Sequence, residues 1–189
     1  MSIAINGSGT LSGITVGGLP DGIVDTDTLA ANAVTNGKLA SGVGGKILKV
    51  HSVQSSTGQD ITSSSYTDIT GLTITLTPAA TSKCLVHAVV TGYGEFLSTF
   101  HGHNKMQVLR DSTTIGVVLR NIRLQTNSST DYLQVGCPLT QTVLDTHGAN
   151  GSTAITYKCQ GLTNHGHMFV NSSYGTYSSL TVYEVAPNS

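Results

Sequence analysis

At 189 residues the chain is long enough for one full domain with an appendage or for a single large one, and usual domain sizes favour the former. Charged residues make up 10% of it and the formal net charge is -1, so it has no basic field to hold phosphate backbones, which disfavours nucleic-acid binding. Glutamate occurs only as Glu95 and Glu184, far apart in the chain, which leaves little material for the paired carboxylates of hydrolases; the reading is a non-enzyme.

Serine and threonine supply about a quarter of the chain and glycine another 22 residues, a mixture that weakens helix interiors and feeds strands and turns. No apolar run approaches a membrane span, and MSIAINGSGT lacks the basic start and apolar stretch of a secretory signal. The expectation is synthesis in the cytoplasm, without export or membrane insertion. Cys84, Cys137 and Cys159 are an odd set with no CxxC, so reduced, buried thiols are expected rather than a disulfide framework or a zinc ribbon.

Residues 1–45 read as a segment of their own. Glycine recurs throughout, aromatic residues are absent, and the apolar residues are small and isolated. VDTDTLAANA (24–33) is followed by VTNGKLASGV (34–43), a ten-residue repeat that aligns Val24 with Val34 and Leu29 with Leu39. Asp25, Thr26 and Asp27 offer helix N-caps, while Gly37 and Gly42 stop anything longer than a turn or two. Such a segment gains order only if other chains cover Ile23, Val24, Leu29, Val34 and Leu39, as in a multi-stranded stalk or a docking peptide; a flexible linker is the alternative.

From Lys46 the apolar period becomes two. Leu48 and Val50 alternate with Lys49 and His51, and LTITLT (72–77) sets Leu72, Ile74 and Leu76 against a threonine face. KCLVHAVVT (83–91) is apolar on both faces, which predicts a central strand covered on both sides, with His87 a hydrogen-bonded core residue. Residues 104–120 read as a hairpin turning at 111–113. YLQVGC (132–137), AITYKC (154–159), MFVN (168–171) and SLTVYEV (179–185) are further strands. About eight to ten short strands imply an all-β, antiparallel β-sandwich or jelly roll over residues 46–189. The predicted core is Leu72, Ile74, Leu76, Val86, Ala88, Val108, Ile115, Val117, Val135, Ile155, Tyr157, Leu180 and Val182.

The order KILKVHSV, SSSYTDITGLTITLTP, ATSKCLVHAVV, VLRDSTTIG, GSTAITYKCQ, YSSLTVYEVA resembles the C-terminal domain of bacteriophage tail-fibre proteins over roughly residues 46–187. INGSGTLSGITVGGLPDG and the decapeptide repeat are similar to the shaft or collar segments that precede such domains in short-tailed and cyanophage-like phages. The resemblance implies a homotrimeric jelly roll of complement globular-head or tumour-necrosis-factor shape. It also implies an extended, partly helical N-terminal stalk that attaches to other phage virion proteins, and distal loops that bind a host surface polysaccharide or protein. The chain is short for a full tail fibre, so a head fibre, a capsid-decoration protein or a tail adaptor without a receptor is the alternative.

Two segments carry the recognition chemistry in this reading. Residues 92–104 and 161–178 place Tyr93, Phe96, Phe100, Asn171, Tyr174 and Tyr177 among Gly, Ser and Asn, a mixture of rigid rings and adaptable polar groups suited to sugars or protein receptors. The alternative is that the rings plug the sandwich ends or a subunit interface. HGH occurs twice, at His101/His103 and His165/His167. In extended chain both rings of each pair face one point, and on a threefold axis six imidazoles would suit an octahedral transition-metal ion; solvated loop histidines are the alternative. No other cofactor is suggested.

Overall fold

The computed structural model describes residue 34 and residues 46–97, 101–123, 132–136, 138–172 and 176–187; for residues 96, 97, 101, 121–123, 132 and 133 it describes the backbone only. The chain divides into two units, Met1–Gly44 and Gly45–Ser189. In the first, Val34 is described and is 50% exposed; Ile23, Val24, Leu29 and Leu39 lie outside the described residues.

The second unit is all-β. In chain order it runs β1 (Ile47–Ser55), β2 (Gln59–Ile61), β3 (Thr67–Leu76), β4 (Lys83–Val90), β5 (Gly92–Leu97), β6 (His101–Arg110), β7 (Thr113–Arg123), β8 (Tyr132–Gly136), β9 (Leu139–Asp145), β10 (Ile155–Thr163), β11 (His167–Val170) and β12 (Ser178–Val185). The strands form three antiparallel sheets, β1-β12-β4-β9, β3-β10-β6-β7 and β2-β11-β5-β8. The first two face each other across one core, giving a β-sandwich of jelly-roll type. In the third, β11 follows directly on β10 and β5 directly on β4.

Alternation sets which side chains go in. In β12, Leu180 and Val182 are fully buried between half-buried Ser179, Thr181 and Tyr183. Leu72, Ile74, Leu76, Val86, Ala88, Val108, Ile155 and Tyr157 are buried as predicted; a fully buried Leu72 contributes about 2 kcal/mol. Cys84 and Cys159 are free and buried, and burial pushes the Cys159 thiol up to about 12; Cys137 lies outside the described residues.

Three core expectations change. Val117 is 50% exposed, because in the β6–β7 ladder Val108 pairs with Gly116 and Leu109 with Thr114. That leaves Ile115 as an extra residue, a β-bulge. Past it the faces exchange: Ile115 and Val118 pack against the core while Val117 and Leu119 turn outward. Val135 is half-buried rather than core. His87 does make a hydrogen bond, with Nδ1 2.8 Å from Thr142 Oγ1, but it sits on the outward side of β4, whose outer residues Leu85, His87 and Val89 are only partly covered within one chain.

Three strands escape the sequence pattern. In β9 the inward positions include Gln141 and Asp145, which interrupt an apolar period; Gly116 makes room for Gln141, since a Cβ there would stand 2.9 Å from its Cγ. In β5 two glycines dilute the pattern, and one is required: Gly92 has φ 147°, and a Cβ on it would stand 1.9 Å from the Phe169 carbonyl oxygen of β11. β2 is only three residues long.

Candidate functional site

The outward side of the β2-β11-β5-β8 sheet gathers rings and carboxylates. Ile61, Met168, Val170 and Gly94 are buried beneath it. Alternation then puts His167 and Phe169 of β11 outward, and the register sets Asp60 and Tyr93 on either side of Phe169, with Glu95 beside His167. Phe169 is the middle of a three-ring strip. Its centroid is 4.7 Å from Tyr93 at 31° and 5.2 Å from His167 at 6°.

Polar groups border the strip. His167 Nδ1 donates to Asp60 at 2.9 Å, and Gln134 Nε2 of β8 donates to Glu95 Oε2 at 2.9 Å. Opposite Tyr93 on β8 stands Gly136, where a Cβ would meet nothing within 4 Å among the described residues. The arrangement stacks three rings on one another next to acceptor oxygens and an amide.

The remaining predicted recognition residues separate. Phe96 lies in β5 opposite Leu133, and Phe100 and Tyr174 lie outside the described residues. Tyr177 is 59% exposed just before β12. Asn171 is buried, at φ 52°, and its amide is engaged within the fold. Its Oδ1 accepts from Ser178 Oγ at 2.7 Å and Thr91 Oγ1 at 3.2 Å, and its Nδ2 donates to the Thr57 carbonyl at 3.2 Å. Residues 92–104 are largely strand rather than loop.

The two HGH motifs do not behave alike. His101 and His103 lie in extended β6, but the chain bends at 164–166, with Gly166 at φ 74°. His167 is therefore committed to Asp60 and Phe169, while His165 lies within electrostatic range of His103. Burial first, then Lys105 and His165, holds the His103 imidazole below its ordinary value, which favours the neutral ring. Among the described residues no three His, Cys, Asp or Glu side chains come together as a metal site.

A second polar cluster lies at the β6–β7 turn. Buried Asp145 accepts from Tyr157 Oη at 2.7 Å and from Arg110 Nη1 at 2.6 Å. Burial and the bond to Asp145 push the Tyr157 hydroxyl far up. A cleft of about 410 Å³ beside it is lined by residues including Arg110, His147, Asn150 and Thr153. Its polar groups serve the fold: Arg110 holds Asp145, His147 Nδ1 accepts from Ala149 N at 2.9 Å, and Asn150 Oδ1 accepts from Ser152.

The sequence reading singled out Tyr93 and His167 of the ring strip but missed Phe169, Asp60 and Glu95. Phe169 was legible in principle, as the outward residue between inward Met168 and Val170.

No family model matches the chain, and no curated protein matches it. Among solved structures, it is similar to Eiger, a tumour-necrosis-factor protein from S. frugiperda, at 7% identity and TM-score 0.34, over 74% of this chain and 95% of that one. It is also similar to a chain of infectious bursal disease virus, Gt strain, at 15% identity and TM-score 0.21, over 74% of this chain and 42% of the viral one. The chain thus spans less than half the length of that viral protein. The jelly-roll class rests on the sheet order, β1-β12-β4-β9 facing β3-β10-β6-β7.

Proposed function

We propose that the chain is a phage virion structural protein: a homotrimeric tail fibre tethered to the particle by residues 1–45, whose β-sandwich head contacts the host cell. One observation carries the assembly part. On the outward side of the β1-β12-β4-β9 sheet, Val50, Tyr183, Leu85 and Leu144 stand side by side across all four strands. Val50 is 55% and Leu144 54% exposed in the single chain. An apolar row spanning a whole sheet is a surface that copies of one chain gain by covering.

The next row supports the same reading. Ser52, Thr181, His87 and Thr142 follow in register, and their polar atoms pair within the row, Ser52 with Thr181 at 2.9 Å and His87 with Thr142 at 2.8 Å. Polar groups already satisfied inside one chain cost little to cover. Three heads on one fibre convert weak single contacts into lasting attachment.

The test has two arms. The purified chain should have three times the mass of its 19.6 kDa subunit in solution, and should block phage adsorption when added in excess. A monomer at about 10 μM removes the fibre reading. Antibody labelling on the capsid instead of the tail, without inhibition of adsorption, replaces it with a decoration role.

A further inference from the structure

We propose that assembly through the outward side of the β1-β12-β4-β9 sheet is proton-linked, and that His87 is the group through which mild acid releases the copies from one another. This deepens the assembly reading, and rests on it for the surface that becomes covered. His87 stands on β4 between Leu85 and Val89, one row along from Val50, Tyr183, Leu85 and Leu144. Successive rows are about 7 Å apart along the strands, so copies that cover the apolar row by meeting through this same side cover the imidazole as well.

The neutral ring suits that place. Its Nδ1 lies 2.8 Å from Thr142 Oγ1, a hydroxyl that both donates and accepts, so either neutral tautomer is satisfied there. The protonated ring does not suit it. It brings a charge and a second N–H donor beneath the cover, and a charge withdrawn from water needs a partner of opposite sign.

This side of the sheet holds no such partner. The four strands ILKVHSVQS, SSLTVYEV, KCLVHAVV and LTQTVLD contain two carboxylates, Glu184 and Asp145, and both are buried on the core side, 0% and 8% exposed. The cross-strand neighbours of His87 are Thr181 on β12 and Thr142 on β9. The other titratable groups outside the core are Tyr183, half-buried Lys83 and exposed Lys49, while His51 is half-buried beside Val182. A copy that presents the same side therefore adds cations and imidazoles but no carboxylate. Proton uptake opposes the contact through like charge as well as through desolvation.

An imidazole in water takes up its proton at about pH 6.5. Above that value the ring is neutral and the surface closes freely. Below it, a chain that must shed the proton to assemble is handicapped about tenfold for each pH unit, and every copy in the assembly compounds the factor.

The experiment sediments the full chain, at about 10 μM, at about pH 8 and about pH 5, with circular dichroism recorded on the same samples. The alkaline sample should show the mass of three chains and the acid sample that of one, with the strand signal unchanged. His87→Gln keeps a neutral hydrogen-bonding group and should hold the three-chain mass in acid; His51→Gln should dissociate as the unaltered chain does. Calorimetric dilution of the unaltered chain at about pH 6, in two buffers of different ionisation heat, guards against a His87→Gln that fails to assemble; about one proton should be taken up per chain released. Three-chain mass in both samples overturns the proposal and leaves assembly standing. So does acid dissociation that His87→Gln does not prevent, loss of the strand signal in acid, or dilution without proton uptake. A single-chain mass in the alkaline sample removes the assembly reading itself, and the proton linkage with it.

Discussion

The two sheets of the sandwich expose outward sides of opposite character. On β3-β10-β6-β7 the β3 and β10 positions of that side hold hydroxyls and an ion pair, with apolar Val117 and Leu119 confined to β7: Thr75 and Thr156 pair across strands at 2.9 Å, and Asp68 bonds Gln160 Nε2 at 2.6 Å and Lys158 Nζ at 3.0 Å. On β1-β12-β4-β9 the corresponding positions hold Val50, Tyr183, Leu85 and Leu144. Both sides come from the same period-two pattern around one core. The difference teaches that alternation assigns a side chain to inside or outside, while the residue type at the outer position decides whether that outside is wetted or hidden by a neighbour.

The largest effect expected on this contrast is loss of assembly. Leu85→Glu with Leu144→Glu should reduce the solution mass to that of one chain, whereas Thr73→Glu with Thr75→Glu on the other sheet should leave it unchanged. Equal behaviour of the two pairs breaks the contrast. Next comes a change between the sheets: Asp145→Ala strips Arg110 and Tyr157 of their shared partner and should cost about 3 kcal/mol in denaturant unfolding. The mass of the assembly should not move, which separates core stability from association.

Smaller still is Val117→Thr with Leu119→Thr, aimed at the two exposed apolar residues of β7. It should change stability by no more than about 0.5 kcal/mol and leave the mass alone; dissociation would move the interface to the other sheet. The smallest effect concerns Asp68, which hydrogen bonds from Gln160 and Lys158 hold below its ordinary value of 3.8. The folded state binds this proton less readily than the unfolded one. The stabilisation is therefore complete above the ordinary carboxylate pKa and is lost as pH falls through the depressed one. Asp68→Asn should flatten that part of the acid side of the thermal-midpoint profile.

Much of the sandwich was legible because its strands obey one rule. LTITLT and SLTVYEV announce both their inner and outer residues. The sequence failed where a local feature overrides the rule. The extra residue at Ile115 misplaces Val117, the polar inward residues of β9 mask a strand, and Gly92 and Gly94 make β5 look like a loop. The ring strip was half legible for a related reason. Tyr93 and His167 stood out by composition, but their meeting depends on β11 pairing with both β2 and β5, a long-range register that no window of sequence contains. The inward hydrogen bonds of Asn171 were not legible either: a polar residue among aromatic ones reads as an outward contact, while its left-handed backbone turns the amide to Thr57, Thr91 and Ser178.

The bulge at Ile115 lets β7 carry one residue more than its partner while the ladder behind it keeps its register, Gly116 opposite Val108 and Val118 opposite Met106. Excising that single amino acid would leave those partners in place, with Val118 still turned to the core and Val117 and Leu119 still outward. The tip of this hairpin can therefore gain or lose a residue without disturbing the flank of the strand that follows it.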